Sequence, residues 1–308
     1  MTADTVRPHQ FLMMTDLGLE GLTEVLDLAA RVKDDPASVA GDLAGRKIGL
    51  FFQKPSTRTR VSCETAVVDL GAHPVVMKQD EVGLGKREAV QDVARTLDRY
   101  LDLLAFRVFD HADLDSLSDH ATAPVVNLLS DISHPCQGLA DLQTVAEHRP
   151  LEGTKLTYLG DGNNVAHSLL LGGAMVAMHV RVVGPESFAP DPAIVAAAEA
   201  IAVDTGGSVT VGTEPSLVEG SDVVYTDVWA SMGQESEALE RRALFQPYRV
   251  DLELFEAAGP EAVFMHCLPA HRDEEVTDAV IEHERSAVFD QAENRMHAFK
   301  ALVLQLLG

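Results

Sequence analysis

The 308-residue sequence is poor in cysteine and in basic residues, and each shortage excludes a class of protein. The three cysteines, Cys63, Cys136 and Cys267, are odd in number and widely spaced, which excludes a disulfide framework; no CxxC pair indicates zinc. Lys and Arg number 24 against 48 Asp and Glu, a net charge of −24. Because nucleic-acid binding needs a basic face, we expect no nucleic-acid partner.

Long apolar runs are also missing. The run LLLGGAMVAM (169–178) is too short to span a bilayer. The first residues, MTADTVRPHQ, lack the basic and apolar segments of a signal peptide. We therefore expect a cytoplasmic protein that has no membrane partner.

Short apolar runs alternate with segments of helical periodicity along most of the chain. The strand-like runs are KIGLFF, HPVVMK, DLLAFRVF, APVVNLLS, TKLTYLGD, HVRVVGP, SVTVG, SDVVYTD and AVFMHCLP. Helical patterns include 19–35, 87–101, 165–178 and 191–205. This alternation is typical of βαβ units and predicts an α/β fold with parallel sheets flanked by helices.

One helical segment, SHPCQGLADLQTVAEH (133–148), separates two series of this alternation. The chain is long enough for two cores. We predict a first domain over 1–148 and a second over 149–290. An amphipathic helix over 291–308 closes the chain and is expected to pack back on the first domain.

The stretch FFQKPSTRTRVSCETAVVDLG (51–71) carries hydroxyl and guanidinium groups where a helix begins. Amide N–H groups and the positive end of the helix dipole meet there, and an anion such as phosphate would be stabilised by them. The groups are Ser56, Thr57, Arg58 and Thr59. An ordinary N-cap with solvated arginines is the alternative.

Six segments occur in an order that identifies a known family. They are FQKPSTRTR, HPCQGLADLQT, GDGNNVAHSLL, DVWASMGQE, HCLPAHR and FDQAENRMHAFKAL. Together they closely resemble the aspartate/ornithine carbamoyltransferase family, and its ornithine-specific members in particular. The resemblance runs from about residue 8 to 306.

The resemblance implies a carbamoyl phosphate domain and an ornithine domain, each a parallel sheet flanked by helices and joined by two interdomain helices. It implies homotrimers, single or stacked, that share active sites between subunits. The expected reaction is transfer of the carbamoyl group from carbamoyl phosphate to the δ-amine of L-ornithine, giving L-citrulline and phosphate, within arginine biosynthesis. No cofactor is implied.

On the carbamoyl phosphate side, the resemblance assigns roles to eight residues: Ser56, Thr57, Arg58, Thr59, Arg107, His134, Gln137 and Arg295. Arg107 stands near the end of a predicted strand, where ligands of α/β sheets bind. His134 and Gln137 lie three apart at a helix start, so both can face one cleft. With Arg58 and Arg107 they are expected to stabilise charge on the carbamoyl oxygen. Cys136 is expected to be structural.

On the ornithine side, the resemblance assigns Asn164, Asp227, Ser231, Met232, Cys267 and Leu268. Asn164 would contact the α-amino and carboxylate end of ornithine, and Asn163 would shape the turn. GDGNN lacks the third glycine of a dinucleotide loop, so no nucleotide is expected. Ser231 and Met232 belong to a loop expected to fold over the substrate. Asp227 and Cys267 are expected to be catalytic because the amine must lose protons, and the Leu268 carbonyl would orient it.

Two alternatives concern Cys267. It could be a buried structural thiol. It could also bind a metal with His266 and His271, but no second ligand pair has suitable spacing, so we expect no metal.

The chain departs from the family pattern just before the helix predicted over 87–101. Gly83 stands where relatives carry a glutamine that reaches a neighbouring subunit's phosphate. Lys86 is in register with a lysine that aspartate-specific members use for the same contact. We expect Lys86 to supply it, and an exposed lysine of no function is the alternative.

Two rival functions remain at this stage. A related enzyme could carbamoylate putrescine or aspartate. HCLP and the SMG loop argue against aspartate, and Asn164 with the SMG loop argues against putrescine, which lacks the α-carboxylate. A non-catalytic binding protein of the same fold would be expected to lose Arg58, His134, Asp227 or Cys267, and all four are present.

Overall fold

The computed structural model describes residues 10–230 and 238–308. Its strands are β1 (Gln10–Phe11), β2 (Lys47–Phe52), β3 (His73–Lys78), β4 (Leu103–Arg107), β5 (Val125–Leu129), β6 (Lys155–Leu159), β7 (His179–Val183), β8 (Ser208–Gly212), β9 (Val223–Thr226) and β10 (Val263–His266). Its α-helices are α1 (Gly18–Asp34), α2 (Thr57–Asp69), α3 (Gln79–Val82), α4 (Val90–Leu97), α5 (His111–His120), α6 (Pro135–His148), α7 (Asn164–Met175), α8 (Pro192–Thr205), α9 (Ala238–Phe245), α10 (Leu252–Ala258), α11 (Asp278–Ile281) and α12 (Val288–Leu307).

The described residues form two compact units. Unit 1 extends to Ala140 and also includes Glu293–Gly308, and unit 2 comprises the described part of Asp141–Ala292. The chain passes from one unit to the other within α6 and again within α12. The predicted domain boundary at residue 148 stays a prediction.

Unit 1 is built on a parallel sheet whose strand order, within the described residues, is β1-β5-β4-β2-β3. β2 is the first long strand; β3 pairs with one of its edges and β4 with the other. The direction of winding therefore reverses between β2 and β4. In open α/β sheets, ligands bind outside the carboxyl ends of the strands at such a reversal.

Unit 2 has the same kind of sheet, with the described strands in the order β10-β9-β6-β7-β8, all parallel. Here the winding reverses between β6 and β9. The carboxyl ends of β6, β9 and β10 lead directly into the segments GDGNN, DVW and HCLP. The α/β class with two helix-flanked parallel sheets is thus confirmed.

Each unit has its own apolar core. Phe51 and Phe106 pack 4.9 Å apart between ring centroids in unit 1, and Phe255 and Phe264 pack 6.1 Å apart in unit 2. The central strands β2 and β4 are buried almost throughout, which explains why they read as continuous apolar runs. Among the described residues, no helix combines the length and apolar character needed to cross a membrane.

The largest error of prediction is the helix expected over 87–101. α4 spans only Val90–Leu97. Residues before it form a loop instead: Leu84 and Glu88 make a bridge, and the guanidinium of Arg87 donates to the carbonyls of Glu81 and Val82. These residues close the loop and therefore do not form the first turn of a helix, although their sequence has helical periodicity.

Candidate active site

A group of polar side chains in unit 1 begins at the amino terminus of α2. Ser56 precedes the helix with extended backbone (φ −158°, ψ 114°), and its Oγ accepts a hydrogen bond from the amide of Thr59 at 3.3 Å. Thr57, Arg58 and Thr59 form the first turn of the helix. The predicted helix start is confirmed, and its use as an anion site stays a prediction.

Thr59 is the centre of what we call the arginine cluster: Ser56, Thr59, Arg107, Gln137 and Arg295. Its Oγ1 accepts hydrogen bonds from Nη2 of Arg295 at 2.8 Å and from the Ser56 hydroxyl at 3.0 Å, and lies 3.5 Å from Nη1 of Arg107. Nη1 of Arg295 donates to Oε1 of Gln137 at 2.7 Å. Both arginines are buried, so the cluster holds two cations where a negative ligand would be strongly attracted.

Arg107 owes its place to an irregularity of the sheet. The register between β4 and β5 shifts between Phe106 and Arg107, so that Arg107 lies opposite Leu129. Such shifts turn a side chain away from the regular alternation of a strand. The irregular register at the end of β4 therefore coincides with the residue, Arg107, that belongs to the arginine cluster.

His134 lies immediately before α6 and is buried. Burial lowers the pKa of its imidazole well below the usual 6.5, and the charges of Arg295 and Arg107 lower it further. The imidazole is therefore neutral at pH 7. It can donate one hydrogen bond to a ligand without adding a third positive charge beside the two guanidinium groups.

Lys54 is a nearby cation to which the sequence analysis gave no role. It is half-buried in the turn between β2 and α2, and its ammonium lies 4.3 Å from the centre of the Phe109 ring. Burial lowers the pKa of Lys54, as does the charge of Arg107, while Asp131 opposes them. The feature of the sequence that could have indicated a role for Lys54 is its position just after the parallel strand β2, within FQKPSTRTR.

The two cysteines of unit 1 are poor candidates for chemistry. Burial raises the pKa of Cys63 to about 12 and also raises that of Cys136, so both stay protonated at neutral pH. The Cys136 thiol donates to the carbonyl of Asn127 at 3.3 Å. A structural role for Cys136 agrees with the prediction.

The loop that carries Gly83 and Lys86 explains part of the departure from the family pattern. Gly83 has φ +71°, and a Cβ there would lie 2.6 Å from Cβ of Arg87. A glutamine at this position would therefore need a different loop. Lys86 is exposed and its amide donates to the Gly83 carbonyl at 3.0 Å.

In unit 2, Asp227 lies directly after β9 and is the centre of a second group, the carboxylate–thiol cluster: Asn163, Asp227 and Cys267. Oδ1 of Asp227 accepts from the Cys267 thiol at 3.0 Å and from the amide of Val228 at 2.8 Å. Oδ2 accepts from Nδ2 of Asn163 at 3.0 Å. Both Asp227 and Cys267 are buried, so the acid and the thiol are held together away from water.

Asn163 holds two elements at once. Its Oδ1 accepts from the amides of Val165 and Ala166, which caps the amino terminus of α7, while its Nδ2 holds Asp227. The prediction that it shapes the turn is confirmed, and its bond to Asp227 was missed. Asn164, the predicted ligand contact, is the first residue of α7 and is half-buried.

The HCLP segment continues β10 into a strained turn. Leu268 has φ +56°, a left-handed conformation that is costly for a side chain of this kind, and the following Leu268–Pro269 peptide is cis. Two tyrosines lie beneath the cluster. Burial raises the pKa of Tyr158 and of Tyr225 well above 10, with Asp227 and Cys267 adding to it, so both remain protonated.

The metal alternative is not favoured by the bonding of His266. Ligand atoms of Asp227, His266 and Cys267 lie within 4.8 Å of one another. However, Nδ1 of His266 accepts from the amide of Leu268 and Nε2 faces Oε1 of Glu275 at 3.1 Å. Neither nitrogen has a lone pair left for a metal. Within the described residues, His271 groups with Glu274 and Glu275 instead.

The structure thus brings the predicted residues together in two sets. In unit 1 it joins Ser56, Thr59, Arg107, Gln137 and Arg295, with His134 beside them, and in unit 2 it joins Asp227 and Cys267. Thr57 and Arg58 lie on the adjoining helix turn. Ser231 and Met232 lie outside the described residues.

The fold and these two sets define a class: a two-unit α/β enzyme with two buried arginines at one sheet and a carboxylate–thiol pair at the other. Two family descriptions match the chain, the carbamoyl-phosphate-binding domain over residues 9–147 and the Asp/Orn-binding domain over 152–306. The chain belongs to the aspartate/ornithine carbamoyltransferase family.

Individual relatives support the same placement. The chain is 50% identical over 302 residues to ornithine carbamoyltransferase of Synechocystis, covering 97% of each chain. It is 49% identical over 268 residues to the anabolic ornithine carbamoyltransferase of Pyrococcus furiosus, covering 86% of this chain and 85% of that one. The solved ornithine carbamoyltransferase from Pyrococcus furiosus matches with a TM-score of 0.95 at 45% identity, covering 98% of each chain.

Proposed function

We propose that the protein transfers the carbamoyl group of carbamoyl phosphate to the δ-amine of L-ornithine, giving L-citrulline and phosphate in arginine biosynthesis, in the cytoplasm. The observation that carries the proposal is the pairing of opposite chemistries on two like sheets. Unit 1 holds cations for an anionic donor, and unit 2 holds a buried carboxylate and thiol for an amine.

On the donor side, the amides and hydroxyls of Ser56, Thr57 and Thr59 and the guanidinium of Arg58 would hold the phosphate. Arg107 and Arg295 lie within the same cluster and would add charge to it. His134 and Gln137 would hold the carbamoyl oxygen. Charge grows on that oxygen when the carbonyl carbon is attacked, and fixed donors in a buried site stabilise it without reorganising.

On the acceptor side, the attacking amine must be neutral. A free alkylamine has a pKa of about 10.4 and is mostly protonated at pH 7, so a proton acceptor at the site is needed. Asp227 and the Cys267 thiol would accept and relay that proton, and the Leu268 carbonyl would orient the amine. Asn164 would hold the α-amino and carboxylate end, together with Ser231 and Met232.

The proposed reaction has two steps. The amine nitrogen forms a bond to the carbamoyl carbon, giving a tetrahedral intermediate and releasing a proton to the acceptor. The bond from that carbon to the phosphate oxygen then breaks, and phosphate leaves with the electron pair. The cations around Thr59 would stabilise the leaving phosphate as well as the intermediate.

The assembly we propose is a homotrimer, in which Lys86 reaches the phosphate of a neighbouring subunit. An ammonium on an exposed glycine-flanked loop is suited to act as a mobile point charge. The test uses two differently tagged variants, Lys86→Ala and Arg58→Gly, each expected to be nearly inactive. Mixed trimers should recover activity, because one interface then combines an intact Lys86 with an intact Arg58. Verified mixing without recovery, or a fully active Lys86→Ala, would contradict this assignment.

The deciding experiment offers carbamoyl phosphate to the purified protein with ornithine, putrescine, aspartate or lysine in parallel. Citrulline formation, measured by mass spectrometry with phosphate release in equal amount, is expected with ornithine alone. A ureido product from another amine would assign a different acceptor. Phosphate or amino-acid binding without any product would indicate the non-catalytic rival.

A further inference from the structure

His266 and Glu275 form a buried pair to which the proposed mechanism gives no role. His266 ends β10, next to Cys267, and Glu275 follows nine positions later; both are fully buried. Burying an imidazole beside a carboxylate costs free energy that an apolar pair would not.

The contacts fix the proton position on the imidazole. The backbone amide of Leu268 can only donate, and it lies 2.8 Å from Nδ1 of His266, so Nδ1 carries the lone pair. The ring proton is then on Nε2, and it is donated to Oε1 of Glu275 at 3.1 Å. Glu275 thus selects the tautomer that lets the ring accept from Leu268.

The bond from Leu268 to His266 closes a small ring of chain around Cys267. It spans two residues, and it coincides with the left-handed conformation of Leu268 at φ +56°. Such a conformation persists only where surrounding contacts over-determine it. The ring of His266 therefore sets the direction of two groups in the proposed site, the Cys267 thiol and the Leu268 carbonyl.

Both ends of the pair are anchored. The amide of His266 donates to Oε1 of Gln291 at 2.9 Å, which holds the backbone in place. The amide of His271 donates to Oε1 of Glu275 at 2.6 Å, which fixes the carboxylate from the other side. The imidazole is therefore held at its backbone and at both ring nitrogens.

We infer that Glu275 and His266 are positioning residues for the second substrate: through the Leu268 amide they hold the Cys267–Leu268 turn in the conformation that receives the attacking amine. Neither side chain touches the substrate in this scheme. The inference rests on the proposed function for the identity of that amine.

Two replacements of His266 separate its two nitrogens. In His266→Asn, the amide oxygen can take the place of Nδ1 and still accept from Leu268, while the reach to Glu275 is lost. In His266→Gln, the amide NH2 can take the place of Nε2 and still reach Glu275, while the acceptor for Leu268 is lost. Glutamine is the closer match in volume, so a role in packing alone predicts that His266→Gln is the better enzyme.

The positioning role predicts the opposite order. We expect kcat/KM for ornithine to fall about 100-fold in His266→Gln, the loss that a displacement of about 1 Å can cause, and clearly less in His266→Asn. The KM for carbamoyl phosphate should stay the same in both. Equal losses, the reverse order, or a parallel loss for carbamoyl phosphate would overturn the inference.

His283 provides a matched control in the same unit. Its Nδ1 accepts from the amide of Arg285, again two residues ahead, and its Nε2 lies 3.6 Å from Oε1 of Glu256. It shares the backbone contact of His266 and has a more distant, partly exposed carboxylate at its other nitrogen, without adjoining a proposed site residue. His283→Asn and His283→Gln should leave kcat/KM for ornithine unchanged, and a loss there like that at His266 would overturn the inference.

A spectroscopic measurement tests the inference even if the His266 variants fail to fold, and it does not depend on turnover. Long-range 1H–15N spectra of 15N-histidine-labelled protein should show a protonated Nε2 and an unprotonated Nδ1 for His266. The His266 signals are assigned by their loss in His266→Asn or, if that variant is unfolded, by backbone connectivity. In Glu275→Gln the acceptor oxygen remains and the Nε2–H resonance should persist, whereas in Glu275→Leu that proton loses its acceptor and its resonance should shift markedly. A proton on Nδ1 in the unmodified protein would overturn the inference. Failure to carbamoylate ornithine would overturn the proposed function alone.

Discussion

Unit 1 and unit 2 place their candidate side chains at equivalent points of like sheets but fill those points with different chemistry. In both, the winding reverses beside the first strand of the unit's main βαβ series, and the side chains follow the carboxyl ends of the strands at the reversal. Unit 1 offers Arg107 and the start of α2, and unit 2 offers Asp227 and Cys267. The fold thus fixes where a ligand binds, and the residues after each strand decide its charge.

The two clusters also differ in how they are held. In the arginine cluster, Thr59 is bonded to Arg295, which lies 236 residues further along the chain. In the carboxylate–thiol cluster, Asp227 and Cys267 directly follow strands β9 and β10, and Asn163 lies in the turn between β6 and α7. Unit 1 therefore depends on its last helix to complete the arginine cluster, whereas unit 2 completes its cluster from segments that follow neighbouring strands.

Removing the charge of Arg58 should have the largest effect and should act on unit 1 alone. In Arg58→Ala we expect kcat/KM for carbamoyl phosphate to fall about 10³-fold or more, because one fixed charge serves both the leaving phosphate and the oxyanion. Arg60→Ala is the matched control, since Arg60 lies on the same helix but pairs with Glu64 at the surface. A loss below tenfold in Arg58→Ala would contradict the anion assignment.

Asp227→Asn tests unit 2 in the same way. The amide cannot accept the proton of the amine, and it also disturbs the Cys267 contact, so we expect a loss of about 10² to 10³ in kcat/KM for ornithine. Phosphate binding, measured by calorimetry, should not change. Asp222→Asn, at the amino end of the same β9 strand, is the control. A matching loss of phosphate affinity would show that the two clusters are not separable.

Asn163 should give a smaller effect that can be divided into two parts. Asn163→Ala removes the cap of α7 and the donor to Asp227, so we expect about 1 kcal/mol less unfolding free energy and about tenfold lower kcat/KM for ornithine. Asn163→Ser keeps a capping oxygen but cannot reach Asp227. It should recover stability without recovering activity. Recovery of both would assign Asn163 to the helix alone.

Much of this arrangement follows from local sequence. A central strand of a buried parallel sheet is a continuous apolar run, so KIGLFF predicted β2 to the residue. HPVVMK also predicted the bounds of β3, although β3 lies at the sheet edge and is only half-buried. The polar segments that follow the strands were visible for the same reason. FQKPSTRTR, GDGNN and HCLP each interrupt an apolar run with residues that a core does not need.

The partners of these residues could not be predicted in the same way. The bonds of Arg295 to Thr59 and Gln137, and that of Glu275 to His266, depend on side chains that meet through the fold. Strand β1 consists only of Gln10–Phe11, which is too short to show a periodic pattern in the sequence. It is a strand because it pairs with β5. The roles of residues can be inferred from a family resemblance, whereas these contacts become visible only in the folded structure.

The smallest expected effect concerns how each cluster responds to acid. In unit 1, the pKa of His134 is depressed by burial and by two arginines, so the folded protein keeps the imidazole neutral where the unfolded chain, near pKa 6.5, begins to bind a proton. Above pH 6.5 both states are neutral and His134 adds no slope. Below it the unfolded state takes up more protons, so the unfolding free energy falls as the pH falls.

Between pH 6.5 and 5.5 this single group should remove about 1 kcal/mol of unfolding free energy, and His134→Gln should abolish that part of the slope. His148→Gln, at the exposed end of the same helix, is the control and should keep the full slope. The measurement is denaturant unfolding across the pH range for all three proteins. An unchanged slope in His134→Gln would mean that the imidazole takes up its proton in the folded protein as it does in the unfolded chain, and that burial and the two arginines do not lower its pKa. Unit 1 would then gain a third cation as the pH falls, and the contrast with unit 2 would grow with acidity.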